Sequence, residues 1–224
     1  MFDAIAPTYD LLNHLMSFGL DWRWRKKAVN ILTEKRGGVL LDIAAGSGDV
    51  SLELLSIRPR KVIAADFALE MLNVFRHKLD GQSDAIATVE MVSCDALRLP
   101  FHNASFDGTI VAFGIRNFND RLAGLHEMLR VLKPGGLTVI LELSQPRSRF
   151  ISPFYRLYAH RILPLLGATI SRHNSAYRYL PDSIADFPDK NEFLGLMSTA
   201  GFSETRAYSL TFGAAMIYVG RKKS

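Results

Sequence analysis

From residue 38 onward, short apolar runs alternate with longer segments whose apolar residues recur at helical spacing. Strands separated by helices are typical of a parallel sheet with helices on both faces, because a parallel neighbour needs a crossover connection. The pattern therefore predicts an α/β fold. Its first five strands are predicted at Val39 to Ile43, Lys61 to Asp66, Thr88 to Ser93, Gly108 to Ala112 and Leu137 to Glu142.

The clearest helix boundary lies between the fourth and fifth predicted strands. Apolar residues recur three and four positions apart from Leu122 to Leu132, and Lys133-Pro134-Gly135-Gly136 follows. Proline and glycine cannot continue a helix without cost, so this tetrapeptide predicts a helix stop and a turn into the next strand.

After Glu142 the regular alternation ends. Five prolines interrupt an aromatic and apolar stretch, residues 145–188, which we interpret as a helical insertion on the substrate side. A helix is predicted from Lys190 to Ala200. Two β-rich stretches then follow, and we expect them to pair antiparallel across a short turn. They are Thr205 to Leu210 and Ala214 to Gly220, with Thr211-Phe212-Gly213 between them.

Composition favours one domain. The chain has 224 residues and 48% hydrophobic content, enough for one full core. We divide it into N-terminal lid helices (1–37), a cofactor-binding core (38–144), the insertion and a C-terminal helix with a strand pair (189–224). No apolar stretch is long enough to span a membrane and the N-terminus lacks a signal-peptide pattern, so we expect a cytoplasmic protein.

The charge balance and the single cysteine narrow the chemistry. The net charge of +5 biases the surface toward anionic partners, but it is not concentrated in a nucleic-acid-binding arm, so we expect no nucleic acid partner. Cys94 cannot form an internal disulfide and is interpreted as a small buried side chain. We expect no metal site.

The first predicted strand ends in a glycine loop that suggests a cofactor. Gly46 and Gly48 allow a sharp turn against a ligand, and Asp66 after the second strand is placed to accept hydrogen bonds from ribose hydroxyls. Dinucleotide enzymes have a third glycine where this chain has Ser51, and Asp49 adds negative charge. S-adenosylmethionine, a cationic cofactor without phosphate, fits better than a pyrophosphate. The alternative is a turn that binds no ligand.

Ligands of open parallel sheets bind beyond the carboxyl ends of the strands. We expect Asp95 to accept from the adenine amine and Phe67 to lie on an adenine face; the alternatives are a helix N-cap and core packing. The predicted cofactor residues are Asp42, Ala44, Gly46, Ser47, Gly48, Asp66, Phe67, Asp95, Ala96 and Ala112.

Two sets of motifs carry a family resemblance. The glycine loop, Asp66 with Met71-Leu72, Leu99-Pro100-Phe101 before Ser105-Phe106-Asp107, and Arg130 to Gly136 together resemble class I S-adenosylmethionine-dependent methyltransferases. The chain is further similar to the menaquinone/ubiquinone biosynthesis C-methyltransferase family. That likeness rests on three segments: Phe113 to Phe118, Ala176 to Ile184, and Phe2 to Asp10 with Asn13.

The resemblance implies both a fold and a reaction. The fold is a Rossmann-like, mostly parallel seven-stranded sheet with an antiparallel C-terminal strand. The reaction is C-methylation of a prenylated quinol, most simply demethylmenaquinol, with a polyprenyl methoxybenzoquinol as the alternative. A different kind of alternative is an RNA or protein methyltransferase, which often carries Asn/Asp-Pro-Pro-aromatic where this chain has Ala112-Phe113-Gly114-Ile115.

Three residues are predicted to carry the chemistry. A quinol ring carbon becomes nucleophilic when a ring hydroxyl is deprotonated, so the site must hold an oxyanion. Arg116 is the expected cationic partner, Asn117 is expected to position a water that takes the proton, and Tyr9 to order that water or the ring. The alternatives are a salt bridge at the strand end for Arg116 and a packed aromatic for Tyr9.

The expected partners follow from apolar and basic segments. The aromatic and aliphatic residues between Phe150 and Ile170 suit a prenyl tail, a helical core or a homodimer interface. Trp22 and Trp24, which lie among Arg23, Arg25, Lys26 and Lys27, predict either peripheral contact with an anionic membrane or a solvated helix face.

Overall fold

The computed structural model of the protein describes residue 17, residues 19–145 and residues 183–224. The predictions for Tyr9, for the segment from Phe150 to Ile170 and for most of the insertion lie outside the described residues. None of the helices in the described ranges is long and apolar enough to cross a membrane.

Seven strands form one sheet, and its topology confirms the predicted fold class. The spatial order is β3-β2-β1-β4-β5-β7-β6; the first five strands run parallel, and β7 is antiparallel to both of its neighbours. The strands are β1 Val39–Ile43, β2 Lys61–Asp66, β3 Val89–Ser93, β4 Phe106–Ala112, β5 Leu132–Leu143, β6 Ser203–Leu210 and β7 Ala215–Arg221.

Helices connect the strands and cover the two faces of the sheet. Helix α6 begins where the sequence predicted it, because Asp189 and Glu192 form a capping box at its N-terminus. The described α-helices are α1 Asp21–Ile31, α2 Asp49–Leu54, α3 Leu69–Leu79, α4 Ser83–Thr88, α5 Arg121–Val131 and α6 Lys190–Thr199.

Strand β1 lies in the middle of the sheet and contributes to both hydrophobic cores. Leu40 packs into the core with Trp24 of α1 and Phe75 of α3, whereas Leu41 packs into the core with Phe193 of α6. A central parallel strand is buried on both faces, which explains why its apolar run is continuous and does not alternate. The order of strands reverses at β1, between β2 and β4, so a ligand crevice is expected at the carboxyl ends of these strands.

Several strand boundaries differ from the prediction, most of all the start of β5. Strand β5 begins at Leu132 and β4 at Phe106, both earlier than predicted, because these two residues pair before the register shifts at Gly108. The helix stop is confirmed, since α5 ends at Val131, but the predicted turn is wrong, because Lys133 to Gly136 lie within β5. The C-terminal hairpin is also confirmed, with a 3-10 turn at Thr211–Gly213 between β6 and β7.

Helix α1 corrects one part of the membrane prediction. Trp24 is 5% exposed and its indole Nε1 donates to Thr211 Oγ1 at 2.9 Å, so this ring belongs to the core and is not available to a membrane. Trp22 is 51% exposed and the Arg23 guanidinium lies over its ring. Residues two positions apart in a helix lie on nearly opposite sides of it, and only one of the two tryptophans faces outward.

Candidate active site

Three residues of the glycine loop that follows β1 have a positive φ angle. Ala44, Gly46 and Gly48 have φ angles of 54°, 56° and 84°, and Ala45 N donates to Ala65 O at 3.0 Å. The loop therefore folds over the end of β2. A side chain at Gly46 would place its Cβ 3.2 Å from Met71 Cε, so the loop leaves little room at this position.

Asp66 at the end of β2 fixes this loop. Its Oδ2 accepts from Gly46 N and its Oδ1 from Ala68 N, both at 2.7 Å. These bonds hold the carboxylate in one orientation. Because a carboxylate oxygen accepts more than one hydrogen bond, the arrangement is compatible with the hydroxyl donors of a ribose.

A cavity of about 310 Å³, which we name the main cavity, lies beyond the carboxyl ends of the strands and brings many of the predicted residues together. It is larger than a solvent-sized gap and lies at the topological switch point, where open α/β sheets bind ligands. The predicted cofactor residues that line it are Ala44, Gly46, Asp66, Phe67, Asp95, Ala96 and Ala112, and the predicted catalytic residue Asn117 lines the same cavity.

Asp95 and Phe67 differ in how the structure uses them. Asp95 Oδ1 accepts from Leu97 N at 2.8 Å, so its side chain caps the following turn while the residue also lines the cavity. Phe67 is 80% exposed, which excludes the core-packing alternative. Contact of either residue with adenine stays a prediction.

A second, smaller cavity of about 30 Å³ adjoins the loop and contains Asp42 and Ser47. Asp42 is 1% exposed and accepts from Ser51 Oγ at 2.6 Å through Oδ2, whereas Oδ1 has no hydrogen-bond partner among the residues that the structure describes. Burial raises the pKa of Asp42 to about 7. A buried carboxylate oxygen of this kind is stabilised by a ligand that brings a hydrogen-bond donor.

Asp49, whose negative charge was expected to disfavour a pyrophosphate at the glycine loop, is paired with two cationic side chains. Arg25 Nη1 lies 3.1 Å from Asp49 Oδ2, and Lys78 Nζ lies 2.6 Å from Asp49 Oδ1. Arg25 is also paired with Asp21 at 2.6 Å. Two cations therefore compensate Asp49, and the expected repulsion of an anionic ligand by this residue is not supported.

Gly48 lies outside the residues that line the two cavities. Its φ of 84° starts α2, and a Cβ at this position would lie 2.0 Å from Cδ2 of the Phe75 ring. The missing side chain lets the ring of Phe75 in α3 pack directly on the loop. The structure thus gives Gly48 a packing role, and its predicted contact with the cofactor remains a prediction.

Arg116 forms the salt bridge that the sequence offered as the alternative to catalysis. Its Nη1 lies 2.8 Å from Glu142 Oε1, and the side chains of Arg116 and Glu142 are 5% and 1% exposed. Arg116 does not line the main cavity, whereas the next residue, Asn117, does. The role of Arg116 in holding an oxyanion stays a prediction, and the role of Tyr9 lies outside the described residues.

Sequence reasoning missed part of the cavity wall. Leu97, Leu99, Phe118 and Asn119 line the cavity from the segments after β3 and β4, and their positions beyond strand ends were the available signal. Cys94 also lines it and is half-buried; burial raises the pKa of its thiol to about 11, so the thiol stays protonated near neutral pH.

Two solved structures share the fold of this chain. A SAM-dependent methyltransferase from Thermotoga maritima superimposes with a TM-score of 0.69 at 20% identity, covering 99% of this chain and 98% of that chain. A SAM-dependent methyltransferase from Aquifex aeolicus gives 0.62 at 18% identity, covering 87% and 88%. The fold is that of the class I methyltransferases.

The family is narrower than the fold class. Residues 1–222 match the sequence model of the ubiE/COQ5 methyltransferase family, and the chain belongs to this family. It is 48% identical over 225 residues to the ubiquinone/menaquinone biosynthesis C-methyltransferase UbiE of Geobacter sulfurreducens, covering 99% of this chain and 87% of that protein. It is 46% identical over 221 residues to the demethylmenaquinone methyltransferase of Thermus thermophilus, covering 98% and 99%.

Proposed function

We propose that the chain transfers a methyl group from S-adenosylmethionine to a ring carbon of a demethylated lipid quinol, with demethylmenaquinol as the substrate. One observation carries the proposal: a single cavity is lined both by Asp66, which we assign to the cofactor, and by Asn117, which we assign to the acceptor. The relatives from Thermus thermophilus and Geobacter sulfurreducens, which are named for this chemistry, support it over nearly the full chain.

The residues around the glycine loop fit the cofactor. Asp66 is held rigidly enough to accept from ribose hydroxyls, and the buried Asp42 Oδ1 needs a donor of the kind that an ammonium group offers. S-adenosylmethionine supplies a methyl group on a sulfonium, which an electron-rich carbon attacks in line. The two cavities share Ala44, Gly46, Ala112 and Phe113, so one ligand is able to contact both.

The rest of the main cavity suits a quinol ring. Ile43, Leu97, Leu99 and Phe118 give it apolar walls that exclude water and favour an aromatic ring. The Asn117 amide is both donor and acceptor, and we assign it to the ring hydroxyl or to the water that takes its proton. Alignment of donor and acceptor alone is worth roughly 7 to 11 kcal/mol, so a strong side-chain base is not required.

A surface of α1 suits the membrane from which a lipid quinol is drawn. Trp22, Arg23, Lys26 and Lys27 are exposed on this helix, and we infer that they contact an anionic bilayer. Trp24 of the same helix lies 6.4 Å from the ring of Phe113, which lines the main cavity, so the proposed surface is close to the site. A homodimer and a cytoplasmic location stay predictions.

Vesicle flotation tests this surface. We expect binding to vesicles that contain phosphatidylglycerol and weaker binding to pure phosphatidylcholine, with the difference lost when Arg23, Lys26 and Lys27 are all replaced by Glu. Equal binding of the wild type to both vesicles would contradict an electrostatic contact.

The reaction is tested directly with purified protein, labelled S-adenosylmethionine and chemically reduced demethylmenaquinone. The demethylated benzoquinone is run in parallel, because several relatives carry a name that covers both quinones. Carbon-methylated naphthoquinol in the mass spectrum supports the proposal, and methylation of the benzoquinol alone favours the alternative. Transfer to neither ring by protein that still binds S-adenosylhomocysteine would refute quinol methylation and direct attention to RNA or protein substrates.

A further inference from the structure

We propose that Glu142 is a positioning residue of the methyl-transfer site, which acts by pairing with Arg116 and holding residues 113–117 as one wall of the main cavity. The inference rests on the proposed function, because it assigns a task within that reaction. It starts from Glu142, a fully buried residue near the end of β5.

The carboxylate of Glu142 accepts hydrogen bonds from Arg116 and from Leu143. Its Oε1 accepts from Arg116 Nη1 and from Leu143 N, both at 2.8 Å, and its Oε2 accepts from Arg116 N at 3.1 Å. Both the side chain and the backbone of Arg116 are therefore fixed to the end of β5. Multiple bonds to a fully buried carboxylate leave little freedom to the segment that supplies the donors.

The segment held in this way has an unusual backbone. Phe113 has a φ of 57°, which a residue with a side chain rarely adopts. Its N–H donates to Leu141 O at 2.8 Å and its carbonyl accepts from Arg116 Nη1, so both polar groups of the strained residue are bound. Arg116 thus links Phe113 to Glu142. The surrounding contacts stabilise a backbone conformation of Phe113 that is otherwise unfavourable.

The same segment forms part of the site. Ala112, Phe113, Gly114 and Asn117 line the main cavity. Gly114 packs so closely against the glycine loop that a Cβ there would lie 2.7 Å from Ala44 Cβ. A change in the backbone of residues 113–117 would therefore displace Asn117 and press on the loop that we assign to the cofactor.

The charges of Glu142 and Arg116 give different expectations for a positioning role and for direct catalysis by Arg116. Because Glu142 compensates the guanidinium of Arg116 inside the protein, the pair carries no net charge toward the cavity. If Arg116 acts by holding residues 113–117 in place, loss of Glu142 lowers kcat as much as loss of Arg116. If the guanidinium instead stabilises a quinol oxyanion, a loss of Arg116 is not repaired by any change at Glu142.

A double-mutant cycle distinguishes a positioning role of the pair from direct stabilisation of an oxyanion by Arg116. Arg116→Met leaves the buried Glu142 carboxylate without the guanidinium that balances its charge, and Glu142→Gln removes the carboxylate charge that faces Arg116. We expect each substitution to lower kcat by roughly 100-fold, the usual consequence of misplaced reacting groups. Adding Glu142→Gln to Arg116→Met removes both charges and is expected to raise kcat above that of Arg116→Met alone. If the double variant is no more active than Arg116→Met, the proposal is overturned.

Three further measurements keep a folding defect apart from a positioning role. For Glu142→Gln we expect kcat to fall far more than the KM for quinol or the Kd for S-adenosylhomocysteine rises. Glu142→Asp keeps the charge with a shorter reach, and we expect it to recover part of the kcat lost in Glu142→Gln. A kcat of Glu142→Gln equal to that of the wild type, or of Glu142→Asp equal to that of Glu142→Gln, would overturn the proposal.

Glu34→Gln is the matched control. It makes the same chemical change in the Glu34–Arg221 pair, which lies at the opposite edge of the sheet, and kcat, KM and Kd should stay within about 2-fold of the wild type. The wild-type assay is read first: no methyl transfer by the wild type refutes the proposed function itself, whereas an unchanged kcat in Glu142→Gln refutes only the positioning role.

Discussion

The carboxyl edge of the sheet, where the parallel strands end, and the amino edge, where they begin, differ in how far their charged residues are buried. At the carboxyl edge, the side chains of Arg116 and Glu142 are 5% and 1% exposed, and Asp42 as a whole residue is 1% exposed. At the amino edge the charged side chains reach solvent: the side chains of Glu34, Lys133 and Arg221 are 45%, 37% and 27% exposed in their ion pairs.

The difference follows from what each edge has to do. At the amino edge, charged side chains bind backbone groups of the connecting segments: Lys35 Nζ and Arg221 Nη1 donate to Gly135 O, and Asp107 Oδ2 accepts from Val39 N. Solvent screens these contacts, so each contributes little. At the carboxyl edge, burial makes each charge depend on a partner, whether another residue or a ligand. Four predictions test this contrast.

The largest expected effect is the pH dependence that Asp42 confers. Its pKa is raised from 3.8 to about 7 by burial, so its contribution to stability is fully present below about pH 4 and is lost as the pH rises through about 7. Relative to Asp42→Asn, the wild type should lose on the order of 4 kcal/mol of unfolding free energy across this interval. Urea unfolding of both proteins between pH 4 and pH 8 measures it, and parallel curves would contradict the raised pKa of this buried carboxyl group.

Asp107 at the amino edge is the control for this pH profile. Burial raises its pKa, but the hydrogen bonds from Lys133 and from Val39 N outweigh burial and lower the pKa overall. The sign is therefore reversed: relative to Asp107→Asn, the wild type should lose stability as the pH falls below the ordinary carboxyl pKa.

A pair of glycine substitutions gives the next largest effect. Gly48→Ala combines a φ of 84° with a Cβ only 2.0 Å from the Phe75 ring, and should cost about 3 kcal/mol or more. Gly37→Ala has a similar φ of 74° with no atom within 4 Å of the new Cβ, and should cost about 1 kcal/mol. Chemical denaturation measures both. Equal losses would mean that the contact with Phe75 is relieved by a small movement.

Asp66 and Asp107 form a matched pair for ligand binding, since each accepts from a backbone N–H, at opposite edges. Asp66→Ala removes a charged acceptor from the proposed cofactor site and should weaken S-adenosylhomocysteine binding roughly 10- to 100-fold by calorimetry. Asp107→Ala should lower stability and leave the Kd unchanged. A similar Kd for the wild type and Asp66→Ala would remove Asp66 from the cofactor site.

The smallest effect is expected from Glu34→Gln. A hydrogen bond from Arg221 lowers the pKa of Glu34, so its contribution is present above the ordinary carboxyl pKa and is lost on acidification. The pair is exposed, and the change in unfolding free energy at pH 7 should stay below about 1 kcal/mol. A larger loss in thermal or urea unfolding would mean that the amino edge depends on its charges as strongly as the carboxyl edge.

The sequence alone predicted much of the fold. The five parallel strands, helix α6 and the C-terminal hairpin could be recognised because buried parallel strands produce continuous apolar runs and because Pro, Gly and capping residues mark the ends of helices. Earlier starts of β4 and β5 were not predictable, since the pairing of Phe106 with Leu132 depends on two segments that are distant in the chain.

The sequence by itself determined which residues stand at the strand ends, because the loop from Ala44 to Gly48, Asp66 and Asn117 follow predicted strands directly. Only the tertiary structure decided what those side chains face. Arg116 meets Glu142 across 26 residues, Asp49 is compensated by Arg25 and Lys78, and Trp24 turns into the core while Trp22 stays exposed. The spacing of residues along a strand or helix sets their order, but partners on other elements are fixed by strand register and helix packing.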